Sequence, residues 1–433
     1  MNKTQAFTTA ALAAVTSALG IGAAQAQTAP TPAPTVTTRW NGSPETREED
    51  RRFHVNGRFQ YDVAYTDADY ANQTGGLFVP GVRSYARRAF IGVDGRLTEQ
   101  WRYNVKLDIN MSGSPSVRAD DLYLEYAGAD YSFIVGNNNA ISPMEDRDSS
   151  LNIPFNERSF LITAAGVGKR PGIAVITNGG NWSLGAALSS NDTLDTADTA
   201  ANGSESWFAA ARGTWAPIFQ QTPEGTTVLH LGAYYRHREN GDGNGNTLNT
   251  GLLSYSPGAL SNKANNNAGV GAANADDYWN IEAALQWNAF GLDAEYGQID
   301  SNDSALNATQ TGDASATGYY VDAFWSITGE SRKYNAADGS FGAVTPFRTL
   351  GSDGGIGHLM LSARYEDFDA TDLAFAGNRN ETSAWTAGLT WVPISHVKFQ
   401  LNYSNTQIDY VIADLSHRDN EIRAATLRTQ FDW

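Results

Sequence analysis

The sequence predicts an all-β chain closed into a sixteen-stranded antiparallel transmembrane β-barrel, with a long third loop folded into its lumen. Three observations carry this reading. Side chains alternate between apolar and polar with a period of two, over segments longer than the five or six residues usual in soluble sheets. The segments are even in number, and the connections between them sort into a short set and a long set. Composition agrees: the 433 residues carry a net charge of -17 and a mean hydropathy of -0.39. No stretch after the first residues approaches the roughly 18 continuous apolar residues that a membrane helix needs. Cys is absent, which removes disulfides and thiolate metal sites.

Taken in order, residues 1–26 have the features of a secretory signal. Lys3 precedes an apolar stretch from Ala10 to Ala24, and Ala24-Gln25-Ala26 supplies an A-x-A cleavage site, so the exported chain is expected to start at Gln27. Residues 27–52, rich in Pro and Thr and then charged, read as an extended or disordered periplasmic tether. The barrel is expected over 53–433. Its first strand places Phe53, Val55, Phe59, Tyr61, Val63 and Tyr65 on one face and His54, Asn56, Arg58, Gln60 and Asp62 on the other. The same contrast separates Trp101, Tyr103, Val105, Leu107 and Ile109 from Arg102, Asn104, Lys106, Asp108 and Asn110. It returns with Trp279, Ile281, Ala283, Leu285 and Trp287 against Asn280, Glu282, Gln286 and Asn288.

The sixteen segments are expected at 53–66, 83–97, 100–112, 117–128, 131–137, 171–178, 181–190, 205–216, 226–238, 277–289, 291–299, 317–328, 356–367, 383–392, 397–409 and 421–433. With the N-terminus periplasmic, most outer loops are long and rich in Gly, Asn and Asp, whereas the inner turns are short, as at Thr98-Glu99, Ala129-Asp130 and Gly179-Gly180. One inner connection, 329–355, is long. The chain ends on alternating residues finished by Phe431 and Trp433, expected to pair with the first strand and to serve as the signal read by barrel-assembly machinery.

Around the exceptional turn the residues resemble a known family. In "TGYYVDAFWSITGESRKYNAADGSFGAVTP" (317–346), Thr328, Gly329, Glu330, Arg332, Tyr334, Gly339, Phe341 and Pro346 match the signature of the phosphate-selective porin O and P family. "RRAFIGVDGRLTEQWRYNVKLDIN" (87–110) resembles its second hairpin, and "NERSF" (156–160) its third-loop run. The resemblance covers 53–433 in order. It implies a homotrimer of sixteen-stranded barrels in the Gram-negative outer membrane, with the third loop and the unusual turn folded into each lumen. It also implies an arginine track leading small anions to a lysine-lined constriction, and no catalysed reaction. The sequence departs from the family at Asn137, Asn138 and Asn139, where phosphate-selective members place a lysine.

Alternation alone assigns the inward cations: Arg58, Arg88, Arg96, Arg102, Lys106, Arg212, Arg236, Arg364, Lys398 and Arg428. Acids on the same face are Asp62, Asp94, Asp108, Asp121, Glu125, Glu282, Asp293, Glu295, Asp322 and Glu366. Guanidinium groups in series offer several weak oxyanion sites, as conduction needs. The opposed reading is that these charges pair across a wet lumen and rigidify it. The third loop, 136–172, is too long for a simple connection. It is the expected constriction, with Asn139, Glu145, Asp146, Arg147, Asp148, Glu157 and Arg158 as its polar residues. Phe155, Phe160, Leu161 and Ile162 supply the apolar anchors. Glu330, Arg332, Lys333 and Tyr334 represent the folded turn.

These features point to passive diffusion of small hydrophilic solutes with a preference for phosphate-like anions. Other readings are a general or cation-preferring channel and a surface adhesin or receptor using loops 138–170 and 239–276. An enzyme is disfavoured, because the six histidines (54, 230, 237, 358, 396 and 417) are scattered and no G-x-S-x-G element occurs. No metal or cofactor is expected: "DGNGN" lacks the bidentate Glu of a calcium loop, and the glycines at 269 and 271 lack a strand-to-helix context. No basic nucleic-acid patch is present. Outer-membrane lipid and lipopolysaccharide, bridged to loop acids by divalent cations, are the expected surroundings.

Overall fold

The computed structural model describes residues 36–40, 42–69, 80–111, 115–191, 206–239, 254–255, 266–267, 275–305, 311–351, 354–370, 372, 381–411 and 417–433. The signal segment 1–26, residues 27–35, and the outer-loop residues 192–205, 240–253, 256–265, 268–274 and 412–416 lie outside the described residues.

Among the described residues, sixteen barrel strands follow one another, each antiparallel to its neighbours. They are β1 (Arg51–Ala68), β2 (Gly81–Arg96), β3 (Trp101–Asn110), β4 (Ser116–Ala127), β5 (Tyr131–Asn138), β6 (Arg170–Asn178), β7 (Trp182–Ser190) and β8 (Trp207–Thr222). The second half comprises β9 (Gly225–Glu239), β10 (Ala275–Trp287), β11 (Phe290–Ala305), β12 (Thr311–Ser326), β13 (His358–Asp369), β14 (Glu381–Ile394), β15 (Val397–Val411) and β16 (His417–Asp432). The sheet closes on itself: β16 pairs with β1 from Ile422↔Ala68 to Asp432↔Arg58. Every expected segment is present, with shifts of a few residues at the ends.

The two faces are those the alternation assigns. On β10, Gln286 is 1% exposed while its neighbour Trp287 is 63% exposed. Leu285, Ile281, Trp101, Leu107, Val135, Val175, Leu401 and Leu427 likewise point outward and stay exposed, the arrangement of an apolar band made for hydrocarbon. Aromatic pairs mark the band near the short turns: Trp101 against Tyr126, Phe290 stacked on Trp325, and Trp391 stacked on Phe399. Arg102, Asn104, Lys106 and Asp108 face a cavity inside.

Two irregularities redirect side chains. Pro217 has no N–H to give the ladder, and the register between β8 and β9 shifts between Trp215 and Ile218. On β2 the register with β1 shifts at Gln60/Tyr61, leaving Arg87 as an extra residue. Strict alternation points Arg87 outward, but the bulge turns Arg87 and Arg88 to the same side.

The reading of 27–52 as a tether fails in its second half. Val36–Trp40 and Pro44–Glu48 are strands paired with each other, and the latter pairs with the start of β1 from Glu45↔His54 to Glu48↔Arg51. Charge explains this. Glu45, nearly fully buried, accepts from Arg39 at 2.7 Å, Arg47 at 2.5 Å and Arg52 at 3.0 Å, while Arg52 also holds Asp94 at 2.6 Å. Composition shows the charges but not that they interlock.

The C-terminus completes the seam. Trp433 N donates to Gly57 O at 3.1 Å and Gly57 N to Trp433 O at 3.0 Å, while the Trp433 ring stacks on Phe431. A Cβ at Gly57 would lie 2.3 Å from the Trp433 ring and 2.7 Å from Phe90 O. Gly57→Val therefore should lower the thermal midpoint of the detergent-folded barrel, through overpacking of about 1–3 kcal/mol. Heat-modifiability on gels reads the transition, and an unchanged midpoint would refute the seam account.

Candidate functional site

The lumen is divided. One half is filled by residues 139–169 of the third loop and by the connection after β12. The other half is open, with a cavity of about 900 Å³ against β1–β6.

The filled half is built on buried charge. The third loop contains α1 (Met144–Arg147) and α2 (Phe160–Ala165). Their free amide groups are met by carboxylates from the far wall. Met144 N donates to Glu282 at 2.8 Å, Glu145 N to Glu295 at 2.7 Å, and Phe160 N to Glu366 at 2.7 Å. Ser159 caps α2 by accepting from Ile162 N. Phe160, Leu161 and Ile162 are buried among Tyr234, Tyr278, Tyr320 and Phe368. The apolar anchors thus hold the loop against the wall, as their need for burial predicts.

Connection 329–355 enters from the opposite side. Tyr334–Asn335 pairs with Ser340–Phe341 to form a small hairpin. Arg332 lies between the rings of Phe324 and Phe341, 4.1 and 4.0 Å from their centroids, and forks onto Asp293 at 2.7 and 2.8 Å. Tyr334 is buried, with its hydroxyl 2.8 Å from His230 Nδ1. Glu330 accepts from Phe347 N at 2.9 Å and from the Thr328 hydroxyl. Lys333, grouped with these residues by sequence, is instead exposed. The hairpin meets the third loop directly: Arg147 donates to Asp338 at 2.7 Å, and Phe341 N to Asp148 at 2.7 Å.

The inward cations divide accordingly. Arg212 is buried, holding Glu282 at 2.8 Å and the carbonyls of Asp338 and Gly339. Arg236 bonds Ala165 O and, at 3.1 Å, Asp276. Arg364 forks onto Asp322 and reaches Glu145. Lys398 donates to Leu151 O at 2.6 Å. Arg428 forks onto Asp62 and reaches Glu157 at 2.7 Å. The expected continuous arginine track is therefore absent from this half. Its cations are consumed in holding the filling in place, which alternation cannot reveal.

The open half is lined by Arg58, Arg88, Arg102, Lys106, Asn139, Asp146, Arg147, Asp148 and Arg158. Sequence reasoning missed Arg118, Asp120, Lys169 and Arg170, which also line it. Lys106 and Lys169 share Asp121, at 2.8 and 2.7 Å, and Lys169 also holds Asp120 at 2.8 Å. Arg102 is half exposed and 3.9 Å from Glu125. Arg158 is spent on the carbonyls of Glu145, Asp146 and Asp148. Arg88 donates to Gln60 at 3.0 Å and lies 3.4 Å from Glu157. Arg96 is half-buried near the end of β2 and makes no ion pair among the described residues. Arg58 stacks 4.2 Å over Phe90 and donates to Ser150 Oγ at 2.7 Å; among the described residues it has no carboxylate within 4 Å. At the start of the third loop, Asn137 donates to Asp120 O and Asn138 bridges Gly136 O and Ala140 N, so these amides knit backbone.

Two loop carboxyls sit far from their ordinary range. Burial pushes Asp148 up to about 8, against the opposing pull of Arg332 and the Phe341 amide. Burial also pushes Glu157 up, but Arg87, Arg88 and Arg428 overcome it and hold that carboxyl well below its usual value.

This architecture has relatives. Residues 53–433 match the family model described as phosphate-selective porin O and P. The chain belongs to that family. It is an outer-membrane porin. It is 25% identical to Porin O of Pseudomonas aeruginosa over 405 residues, 84% of this chain and 85% of that protein. It is also 28% identical to a Caulobacter vibrioides protein over 422 residues, 93% of this chain and 78% of the relative. Among solved structures, OmpT of Vibrio cholerae superposes with a TM-score of 0.53 at 8% identity, covering 89% of this chain and 100% of that one. OprB of Pseudomonas putida gives 0.53 at 9% identity, covering 88% and 94%. At such identities these two speak for the fold alone.

A carboxyl raised by burial favours the folded state when protonated. Its contribution is complete below the unfolded value near 3.9 and declines as pH rises towards 8. Asp148→Asn retains an acceptor for Phe341 N and cannot ionise. The thermal midpoint of the natural porin should therefore fall between pH 4 and 8 more steeply than that of Asp148→Asn. Parallel profiles would refute the burial of Asp148 beneath the hairpin.

Proposed function

We propose that this porin is a passive diffusion channel for small hydrophilic solutes, with a mild preference for small anions such as phosphate. In this reading residues 1–26 are removed on export, 27–52 precede the barrel in the periplasm, and 53–433 form the pore. The pore works as a homotrimer and catalyses no reaction. Trp433 engages the barrel-assembly machinery, and lipopolysaccharide surrounds the outer rim.

The observation that carries the anion preference is Arg58. It is a guanidinium on the conduit wall that has no carboxylate within 4 Å among the described residues, aimed by Phe90 and Ser150. An anion passing it gains a charge-assisted hydrogen bond without first breaking an ion pair. Arg88 beside it strengthens the local field. The family description, which names phosphate, points the same way.

The preference is mild because the wall of the conduit carries as many carboxylates as cations, and Asp108 faces the same cavity without an ion pair among the described residues. That acid is the observation favouring the second reading, a general or cation-preferring channel. Paired charges on the wall set little net field, so Arg58 and Asp108 decide between the two. The adhesin reading rests on loops of which 239–276 is mostly outside the described residues. The constriction role of the third loop is supported by its contacts with the far wall and with the turn hairpin.

In planar bilayers under a KCl gradient, the natural channel should reverse on the anion side. Arg58→Ala should move the reversal potential towards the cation side, with the anion-to-cation permeability ratio falling about threefold or more, a loss of about 0.7 kcal/mol or more. A cation-side value for the natural channel would overturn the anion reading.

A further inference from the structure

Three guanidinium groups converge on one side chain of the third loop. Arg87 donates to Glu157 through Nε and Nη2, both at 2.7 Å. Arg88 approaches at 3.4 Å, and Arg428 donates at 2.7 Å. The bulge in β2 makes this possible, because it turns consecutive arginines to the same side as Arg428 of β16. Arg428 is also neutralised by Asp62, which accepts a further bond from Tyr85. Three cations thus face two carboxylates, leaving a surplus of one positive charge. The cluster is partly open to solvent: the Arg87 side chain is 30% exposed, that of Glu157 20% and that of Arg88 14%, while Arg428 is buried.

A fork of guanidinium N–H groups accepts a carboxylate or a tetrahedral oxyanion by the same geometry. A carboxylate tethered to a packed loop is present at an effective concentration in the millimolar range or above, which a free anion has to match. We propose that Glu157 is a specificity-determining residue: a tethered competitor that occupies a three-arginine oxyanion cradle and holds down the channel's affinity for phosphate-class anions. This rests on the anion-channel reading and goes beyond it by naming the group that keeps the preference mild. A purely structural Glu157 would affect all permeating ions alike, whereas a competitor acts on those able to take its place. Chloride, with a single centre, cannot bridge three guanidiniums as an oxyanion can.

The test is block of chloride current by inorganic phosphate in planar bilayers, using the full-length porin and normalising each variant to its own chloride conductance. Glu157→Gln keeps the size and one acceptor oxygen but removes the charge. Its half-blocking phosphate concentration is expected to be at least tenfold lower than that of the natural channel. Glu157→Asp keeps the charge but withdraws it by one methylene, so its block should be intermediate. Phosphate sensitivity equal to the natural channel's in both variants, or in Glu157→Asp alone should Glu157→Gln not insert, overturns the proposal. A cation-side reversal potential in the natural channel would defeat the anion reading, whereas the variant-to-natural ratio of phosphate block still reads the cradle.

Discussion

The structure depends on one requirement: a backbone in hydrocarbon has no water to satisfy its N–H and C=O groups, so each must find a partner in the chain. A sheet meets this only by losing its edges. The pairing of β16 with β1 is therefore the condition on which the other fourteen strands rely. Its lower end is reinforced by the reciprocal Gly57 and Trp433 bonds and by the strand Pro44–Glu48, which pairs with the first residues of β1 and continues the ladder below β16. Because successive side chains point to opposite faces, closure also fixes which residues meet lipid and which meet the lumen.

The lumen follows a different logic. Its filling is polar and charged, and buried charges are tolerated only when paired and fully hydrogen-bonded. Arg212, Arg332, Arg364 and Arg428 each hold a carboxylate at close range, and the loop amides are capped by Glu282, Glu295 and Glu366. An apolar plug of the same size would have left those wall acids uncompensated. In the filled half the guanidinium groups are locked in place, whereas along the open cavity Lys106 and Lys169 share Asp121 and Arg58 has no carboxylate within 4 Å among the described residues.

Much of this was legible in the sequence. Strand number, order and facing followed from alternation, because a period of two leaves no ambiguity once one face is apolar. The inward position of Arg58, Lys106 and Arg364 followed from the same rule. What alternation cannot read is a break in itself. The bulge at Arg87 hid a lumen cation, and only the doubled arginine at 87–88 hinted at it. Nor does a one-dimensional pattern tell a free cation from a paired one. Arg58 and Arg428 have the same facing, yet the second is locked by partners 366 and 271 residues away in sequence. The strands within residues 36–48 escaped as well, because composition shows the charges around Glu45 but not that Arg39, Arg47 and Arg52 close on it.

Those long separations bear on how the molecule is made. The third loop lies early in the chain, but the groups that hold it come from β10, β11, β13 and β16. Glu157 cannot meet Arg428, nor Phe160 meet Glu366, until the last quarter of the polypeptide has arrived. Filling the interior is thus a late event that coincides with ring completion, and such non-local contacts make for slow maturation. A chain halted before its final strand would lack Arg428, leaving the inward carboxylate of Asp62 on the first strand without its forked partner while Glu157 kept Arg87.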